Sequence, residues 1–346
     1  MIDLRSDTVT KPTPAMREAM YRAEVGDDVM GEDPTVNRLE EMAAERMGKP
    51  AALFVASGTM GNTAALLAHC QRGDEVILGD MAHSFLYEAG GMAALGGINP
   101  RPLPNLPDGT IRLDQIEAAI RPDDPHHPRS RLIALENSHN HCGGAAIPPG
   151  YFAAVRELAD RHHLKVHLDG ARIFNAAVAL GVEAREIMQH VDSITFCLSK
   201  GLSAPVGALL CGDEDFIYHA RRIRKMLGGG MRQAGVIAAA GVVALEQMVD
   251  RLAEDHARAR RLAEGVASIP GFTIDLERVQ TNIIFFDLAP DRPAPKEIVA
   301  RLRERGVLMS YYPGEGFRAV IHCWIDDQGI EKALEALKEV LAAPVH

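Results

Sequence analysis

Short apolar runs alternate with segments of helical spacing along the first two thirds of the chain. The runs predict strands at the start of 52–64 and at 76–79, 132–135, 164–169, 193–198 and 205–211. Between them, apolar residues at helical intervals predict helices at 14–23, after residue 35, and at 113–120, 150–162 and 213–227. Strands that alternate with helices are typical of an α/β fold with a largely parallel sheet.

The pattern changes in the last third of the chain. One long helical pattern covers about 231–267, and its early part is apolar enough to require burial. Beyond Pro270, strands at 271–275, 281–287, 307–310 and 317–324 and helices at 294–305 and 328–342 predict a small α+β domain. We therefore expect a polar N-terminal segment over 1–12, a large domain over 13–245 and a small C-terminal domain over 246–346.

Composition narrows the class of protein. The chain has 346 residues, of which 47% are hydrophobic, and a formal net charge of −10, which predicts no basic face for nucleic acid. Five scattered cysteines without a C-x-x-C pair indicate reduced thiols in a cytosolic protein. His139, His141 and Cys142 are close in sequence, but no second pair accompanies them, so we expect an ordinary loop and no metal. Neither a signal peptide nor a membrane-spanning run is predicted.

Two strand ends carry the first candidate chemistry. The apolar run 193–198 leads to Lys200 and then to glycines, and the run before it ends at Asp169. Burial lowers the pKa of a lysine, and a neutral amine attacks an aldehyde. A strand-end lysine and a strand-end carboxylate suit a pyridoxal phosphate site, in which the lysine forms a Schiff base and the carboxylate keeps the pyridine nitrogen protonated. A solvated lysine and a capping aspartate are the alternative for each residue alone.

Further polar residues follow the other predicted strands. Gly58 and Thr59 open a helix whose free backbone N–H groups favour a phosphate. His83 precedes a helix and could stack on a cofactor ring or exchange protons, although a capping histidine is the plain alternative. Arg172 could bind a carboxylate or pair with Asp169, and Arg318 is the one cation on its apolar strand.

Five segments together resemble the threonine aldolases, over essentially the whole chain. They are Leu4-Arg-Ser-Asp-Thr-Val-Thr10, Ser57-Gly-Thr-Met-Gly-Asn62, Asp169-Gly-Ala-Arg172, Ser199-Lys200-Gly201 and Gly228-Gly-Gly-Met-Arg-Gln233. The resemblance implies a pyridoxal phosphate enzyme of fold type I, like aspartate aminotransferase, with a mostly parallel seven-stranded sheet. It also implies retro-aldol cleavage of L-threonine, L-allo-threonine and related β-hydroxy-α-amino acids to glycine and an aldehyde.

The resemblance also implies a role for each candidate residue. Lys200 would carry the cofactor, Asp169 would pair with the pyridinium nitrogen, and His83 would stack on the ring. Gly58 and Thr59 would bind the phosphate. Ser6, Arg172 and Arg318 would bind the substrate carboxylate, with Arg172 also at the cofactor. His126 would lie near the β-hydroxyl, and Lys225 and Arg232 would lie near walls of the site that two subunits share.

Some points stay open in the sequence. The resemblance implies a cytoplasmic homotetramer built from dimers with shared active sites. The base that takes the β-hydroxyl proton is His83, His126 or a water molecule. Met30 stands where the family usually has a tyrosine, which removes one hydroxyl. The rival functions are another pyridoxal phosphate enzyme, a nicotinamide-dependent dehydrogenase, which the missing G-x-G-x-x-G disfavours, and a non-enzymatic cofactor-binding protein.

Overall fold

A seven-stranded sheet forms the centre of the computed structural model, which describes residues 1–290 and 292–342. Its strands are β2 (Ala51–Val55), β3 (Glu75–Gly79), β4 (Asn99–Leu103), β5 (Ser130–Glu136), β6 (Lys165–Asp169), β7 (Ser193–Cys197) and β8 (Ala208–Gly212). They lie in the order β2-β8-β7-β6-β5-β3-β4, and only β8 runs antiparallel to its neighbours. The mostly parallel seven-stranded sheet is confirmed.

Helices cover both faces of this sheet, because side chains of successive strand residues point to opposite faces. Phe54 of β2 packs in one apolar core and its neighbours Leu53 and Val55 in another. The helices before the C-terminal part are α1 (Pro14–Arg22), α2 (Pro34–Met47), α3 (Gly58–His69), α4 (His83–Leu86), α5 (Gly91–Ala94), α6 (Leu113–Ala119), α7 (Pro149–Arg161), α8 (Ile173–Leu180), α9 (Ala184–Met188), α10 (Glu214–Met226) and α11 (Gly235–Gln247).

A second, four-stranded antiparallel sheet has its own apolar core in the C-terminal part. Its strands are β9 (Phe272–Thr273), β10 (Ile283–Leu288), β12 (Ser310–Tyr312) and β13 (Gly316–Val320), and the helices nearby are α12 (Leu252–Ala267), α13 (Pro295–Glu304) and α14 (Asp327–Ala342). The first strand, β1 (Ile2–Asp3), pairs in parallel with β11 (Val307–Leu308). The N-terminal segment is thereby tied to the C-terminal part.

The structure corrects three details of the expected elements. The long helix predicted over 231–267 is two helices, because residues 248–251 form turns between α11 and α12. Asp33, with Pro34 after it, caps α2 instead of Thr35, because the Asp33 carboxylate accepts the N–H groups of Thr35 and Val36. Strand β4 was not predicted, since its two prolines weaken the strand pattern; as an edge strand it tolerates them.

Parallel strands β5, β6 and β7 direct their carboxyl ends to one edge of the sheet. Glu136 ends β5, Asp169 ends β6 opposite it in register, and Lys200 follows β7 by three residues. Ligands of open α/β sheets bind outside these carboxyl ends. No helix in the described part of the chain is long and apolar enough to cross a membrane.

Candidate active site

A pocket of about 170 Å³ opens at the carboxyl edge of the large sheet. Six residues predicted from the sequence line it, namely Ser6, His83, Asp169, Arg172, Lys200 and Arg318. They come from the N-terminal segment, the ends of three strands and the second sheet. Residues more than 300 positions apart therefore share one site.

Arg172, which lines the pocket, forms a buried ion pair with the N-terminal segment. Arg172 donates from Nη2 and Nε to the two carboxylate oxygens of Asp7 at 2.6 and 2.8 Å. Burial alone would raise the pKa of Asp7, but the guanidinium of Arg172 outweighs it and holds this pKa well below its usual range. Asp7 is thus the partner of Arg172, and the alternative pairing with Asp169 is not formed.

A second arginine joins this pair through one amide. Asn140 Oδ1 accepts from Nη2 of Arg318 at 2.8 Å and from Nη1 of Arg172 at 3.2 Å. The two guanidiniums are thereby held side by side at the pocket wall, with a single carboxylate, that of Asp7, bonded to one of them. Such a pair attracts an incoming carboxylate group.

Asp169 lies in a network of buried polar groups. Its Oδ1 accepts the N–H of Ala171 at 3.1 Å, and its Oδ2 accepts from Nδ2 of Asn62 at 2.8 Å. The same Asn62 nitrogen donates to Oε1 of Glu88 at 2.9 Å, which lies 3.0 Å from His83 Nδ1. Burial raises the pKa of Asp169 and that of Glu88, whereas the hydrogen bond to Glu88 raises the pKa of His83.

The start of α3 faces the end of β7. A Cβ atom at Gly58 would lie 2.7 Å from Sγ of Cys197, so only glycine allows this approach. Ser57 caps the helix by accepting the N–H of Met60, and the amides of Gly58 and Thr59 lie at the exposed N-terminus. Free N–H groups and the helix dipole favour an anion here.

Three predicted residues lie elsewhere in the chain. His126 is on an exposed loop, where its Nδ1 lies 2.7 Å from Oδ1 of Asp124. Arg232 is exposed and bonds Asp27 at 2.8 Å, and Lys225 is an exposed residue near the end of α10. These residues do not line the pocket formed by a single chain.

Several residues of the site were missed by the sequence analysis. His141 lines the pocket; its Nδ1 lies 2.9 Å from Oε2 of Glu315, and its ring stacks on Tyr87 at 4.9 Å between centroids. The polar run 136–141 at the end of β5 was the only signal in the sequence for this part of the site. The other missed residues that line the pocket or bond to its walls are Asp7, Thr8, Asn62, Glu88, Glu136, Asn140, Ala171 and Tyr312.

The donor set fits pyridoxal phosphate. Lys200 lines the same pocket as a buried carboxylate, Asp169, whose oxygens have capacity for another donor. The imidazole of His83 shares the pocket, and the glycine-started helix α3 abuts the strand that leads to Lys200. His83, Glu88 and Asp169 place possible metal ligands within 4.8 Å of one another, but the Asn62 amide and the Nδ1 of His83 already link them by hydrogen bonds.

Fold and site define the class of protein first. A mostly parallel sheet with a lysine and a buried carboxylate at its carboxyl edge is fold type I of the pyridoxal phosphate enzymes. A solved threonine aldolase from Leishmania major has the same fold, with a TM-score of 0.84 and 20% identity. The match covers 99% of this chain and 100% of that one.

The family follows from sequence comparison. The profile of the beta-eliminating lyases matches residues 3–289. A probable low-specificity L-threonine aldolase from Arabidopsis thaliana is 50% identical over 343 residues, which are 98% of this chain and 97% of that protein. The low specificity L-threonine aldolase of Escherichia coli is 50% identical over 313 residues, which are 90% and 92% of the two chains. The chain belongs to the beta-eliminating lyase family and, within it, to the low-specificity L-threonine aldolases.

Proposed function

We propose that the pocket around Lys200 is the site at which this lyase cleaves L-threonine, L-allo-threonine and related β-hydroxy-α-amino acids to glycine and an aldehyde. The observation that carries the proposal is the presence of Lys200, Asp169 and two arginines in one pocket. When bound, pyridoxal phosphate supplies the electron sink for breaking the bond between the α and β carbons. Family membership makes the chain a lyase that depends on this cofactor.

The cofactor would be held by four contacts. Lys200 would bind its aldehyde carbon, and Asp169, as an ionised carboxylate, would accept a hydrogen bond from its protonated pyridine nitrogen. The amides of Gly58 and Thr59 would hold its phosphate at the start of α3, and His83 would stack on the ring. Support for this arrangement comes from the burial of Asp169, which is 5% exposed, and from the contact of Gly58 with the end of β7.

The substrate carboxylate would bind to Arg172 and Arg318, with Ser6 beside them. Both guanidiniums bond Asn140 Oδ1, so their direction is fixed before substrate arrives. A fixed carboxylate orients the bond to be broken, and this positioning lowers the entropy that the reaction must lose. Asp7 neutralises one of the two positive charges, which leaves a net positive charge for the substrate.

Two histidines in the pocket are arranged as bases. His83 holds Nδ1 on Glu88 and His141 holds Nδ1 on Glu315, both within 3.0 Å. A carboxylate on Nδ1 leaves Nε2 as the acceptor and stabilises the imidazolium that forms. Of the two, we propose His83 as the group that takes the β-hydroxyl proton, because it also lies beside the proposed cofactor groups.

Substitution of these histidines separates their roles. We expect His83→Asn to lower kcat by about 10²-fold, as is usual for the loss of a general base, and His141→Asn to lower it by less than about tenfold. Steady-state rates of aldehyde release measure both effects. A larger loss of kcat in His141→Asn than in His83→Asn would assign the base to His141.

Assembly and location are further parts of the proposal. We propose a cytoplasmic homotetramer, a dimer of dimers in which Lys225, Arg232 and His126 reach the site of a neighbouring subunit. All three are exposed in the single chain. Met226 follows Lys225 in α10, and Met30 lies three residues after Asp27, the partner of Arg232; these two large apolar side chains are 69% and 70% exposed. We also propose the domain limits predicted from the sequence, which lie at about residues 12 and 245.

Product analysis tests the function. Purified protein reconstituted with pyridoxal phosphate is incubated with L-threonine and with L-allo-threonine. We expect equal amounts of glycine and acetaldehyde from at least one of them. A keto acid product in place of the aldehyde would indicate an aminotransferase, and a change of configuration alone a racemase.

A further inference from the structure

A chain of buried hydrogen bonds leads to Asp169 along one face of the large sheet, between helix α3 and strands β6 and β7. His69 Nε2 lies 2.7 Å from Oγ of Ser193, which lies 2.8 Å from Nδ1 of His167. Nε2 of His167 lies 3.2 Å from Oδ1 of Asn62, and Nδ2 of Asn62 donates to Asp169 and Glu88. Each of the three inner groups, Asn62, His167 and Ser193, is at most 2% exposed.

The donors in this row of hydrogen bonds can point in only one direction while the carboxylates of Asp169 and Glu88 are ionised. An ionised carboxylate only accepts, so the Asn62 amide must turn its NH₂ to them and its oxygen to His167. His167 must then carry its proton on Nε2 and accept at Nδ1 from the hydroxyl of Ser193. The hydroxyl has a single proton, so Ser193 in turn accepts from Nε2–H of His69.

This argument requires both histidines to be neutral. Burial lowers the pKa of His167 to about 3 and that of His69 to about 4, so each ring carries one proton at neutral pH. His69 is also stacked on Phe216 at 4.5 Å between centroids, which limits its rotation. A neutral imidazole has one N–H donor and one acceptor nitrogen. The hydrogen bond at one nitrogen therefore fixes whether the other nitrogen donates or accepts.

The reversed chain defines the competing state. If the Asn62 amide flips, its oxygen faces both carboxylates, and both must then be protonated to bond it. The flip also needs Nδ1–H on His167 and a Ser193 hydroxyl that donates to His69. All links must therefore reverse together, and a protonated Asp169 is a poor partner for a pyridinium nitrogen.

We propose that His167, Ser193 and His69 are positioning residues that fix the Asn62 amide as the donor to Asp169 and Glu88 and thereby keep Asp169 ionised. The inference rests on the proposed function, because it assigns Asp169 to the cofactor nitrogen. None of these four residues needs to touch the substrate. Their effect reaches the reaction through Asp169 and through Glu88, which lies on Nδ1 of His83.

The proton positions can be measured directly on the holoenzyme. The protein is labelled with ¹⁵N-histidine, and long-range ¹H–¹⁵N spectra distinguish the two neutral forms and the charged form of each ring. His167→Gln and His69→Gln assign the two signals among the 14 histidines. We expect Nε2–H in both rings at neutral pH. Nδ1–H on His167, or a charged His167, would overturn the proposal, whether or not the protein is an aldolase.

Matched variants test the effect on the site. His167→Phe removes the donor to Asn62, whereas His167→Gln retains an N–H at a similar place. We expect the phenylalanine variant to lose about tenfold in kcat and about tenfold in cofactor affinity, with KM for threonine nearly unchanged, since the loss of one buried hydrogen bond has about this magnitude. The glutamine variant should recover most of both, and equal losses in the two variants would reduce His167 to a packing role and refute the proposal.

A milder variant covers the case in which His167→Phe does not fold. Ser193→Ala removes one hydroxyl, so that Nδ1 of His167 loses its donor. We expect part of the His167 signal to move to the Nδ1–H form and cofactor affinity to fall in the same direction. A His167 signal that stays entirely Nε2–H, with unchanged cofactor affinity, would show that the chain does not set the direction of the amide.

Discussion

Lys200→Ala is expected to abolish turnover of threonine and to remove the yellow colour of the bound cofactor. Its amine is the one lysine side chain among the residues that line the pocket. Loss of an ordinary general acid or base lowers the rate by about 10²–10⁴-fold. Loss of a residue that both bonds the cofactor and moves protons should lower it by more. We therefore expect kcat below about 10⁻⁴ of the value for the unmodified protein, measured by aldehyde release, with the absorbance spectrum as a second readout.

Lys338→Ala is the matched control, because Lys338 is an exposed residue of α14. It should keep both the colour and the rate. Turnover by Lys200→Ala at the rate of the control would remove Lys200 from the mechanism. A correctly folded Lys200→Ala protein, shown by an unchanged thermal transition, is needed for the comparison.

Asp7→Ala is expected to have the largest effect on stability. Asp7 is fully buried, and Arg172, whose side chain is 4% exposed, bonds both of its oxygens. Removing one partner leaves an uncompensated buried charge, which costs about 3–5 kcal/mol. Chemical denaturation of the apoprotein measures this loss, and KM for threonine should rise as well, because Arg172 loses the group that orients it.

The same pair predicts how stability depends on pH. The folded-state pKa of Asp7 lies below its value in the unfolded chain, which is about 3.9. Its contribution is therefore fully present above about pH 4 and is lost as pH falls toward the folded-state pKa. Asp7→Ala should flatten the acid limb of the stability curve, whereas Asp114→Ala, at an exposed ion pair with Arg112, should leave it unchanged. An acid limb of Asp7→Ala equal to that of the unmodified protein would contradict the assignment.

The Asp7 pair also explains how the N-terminal segment contributes to the site. Strand β1 pairs with β11, and the short 3₁₀ helix over Asp7–Val9 begins at Ser6, whose hydroxyl accepts the N–H of Thr8. Arg318 donates to the carbonyl of Arg5 at 3.2 Å. Ser6 is thus held between the two arginines by backbone and side-chain contacts on both sides.

Sequence reasoning located the groups that follow predicted strands. Lys200, Asp169 and His83 were found because parallel strands end at one edge, so a polar residue after an apolar run is placed there by topology. Gly58 was found because a glycine between a strand and a helix allows a close approach. Each of these residues has a local signal in the sequence, and the parallel order of the strands is enough to place them at one edge of the sheet.

Other residues carried no local signal. Asp7 and Arg172 are separated by 165 positions and Glu315 and His141 by 174, and neither pairing follows from spacing. Residues 248–251 contain neither glycine nor proline, yet the helix breaks there. The break lets α11 pack in the core of the large sheet while α12 packs with the second sheet, so packing decided it.

The sequence by itself therefore determined the α/β class, the mostly parallel sheet, the family and the residues at the strand ends. These features follow from the spacing of apolar residues, from glycines and prolines at the ends of elements, and from short motifs, all of which are local in the sequence. Only the tertiary structure decided that Asp7 binds Arg172, that Asn140 joins two arginines, and that His69, Ser193, His167 and Asn62 form one directed chain. These contacts depend on which distant segments meet, and a buried polar group takes whichever partner the folded chain brings within hydrogen-bond distance.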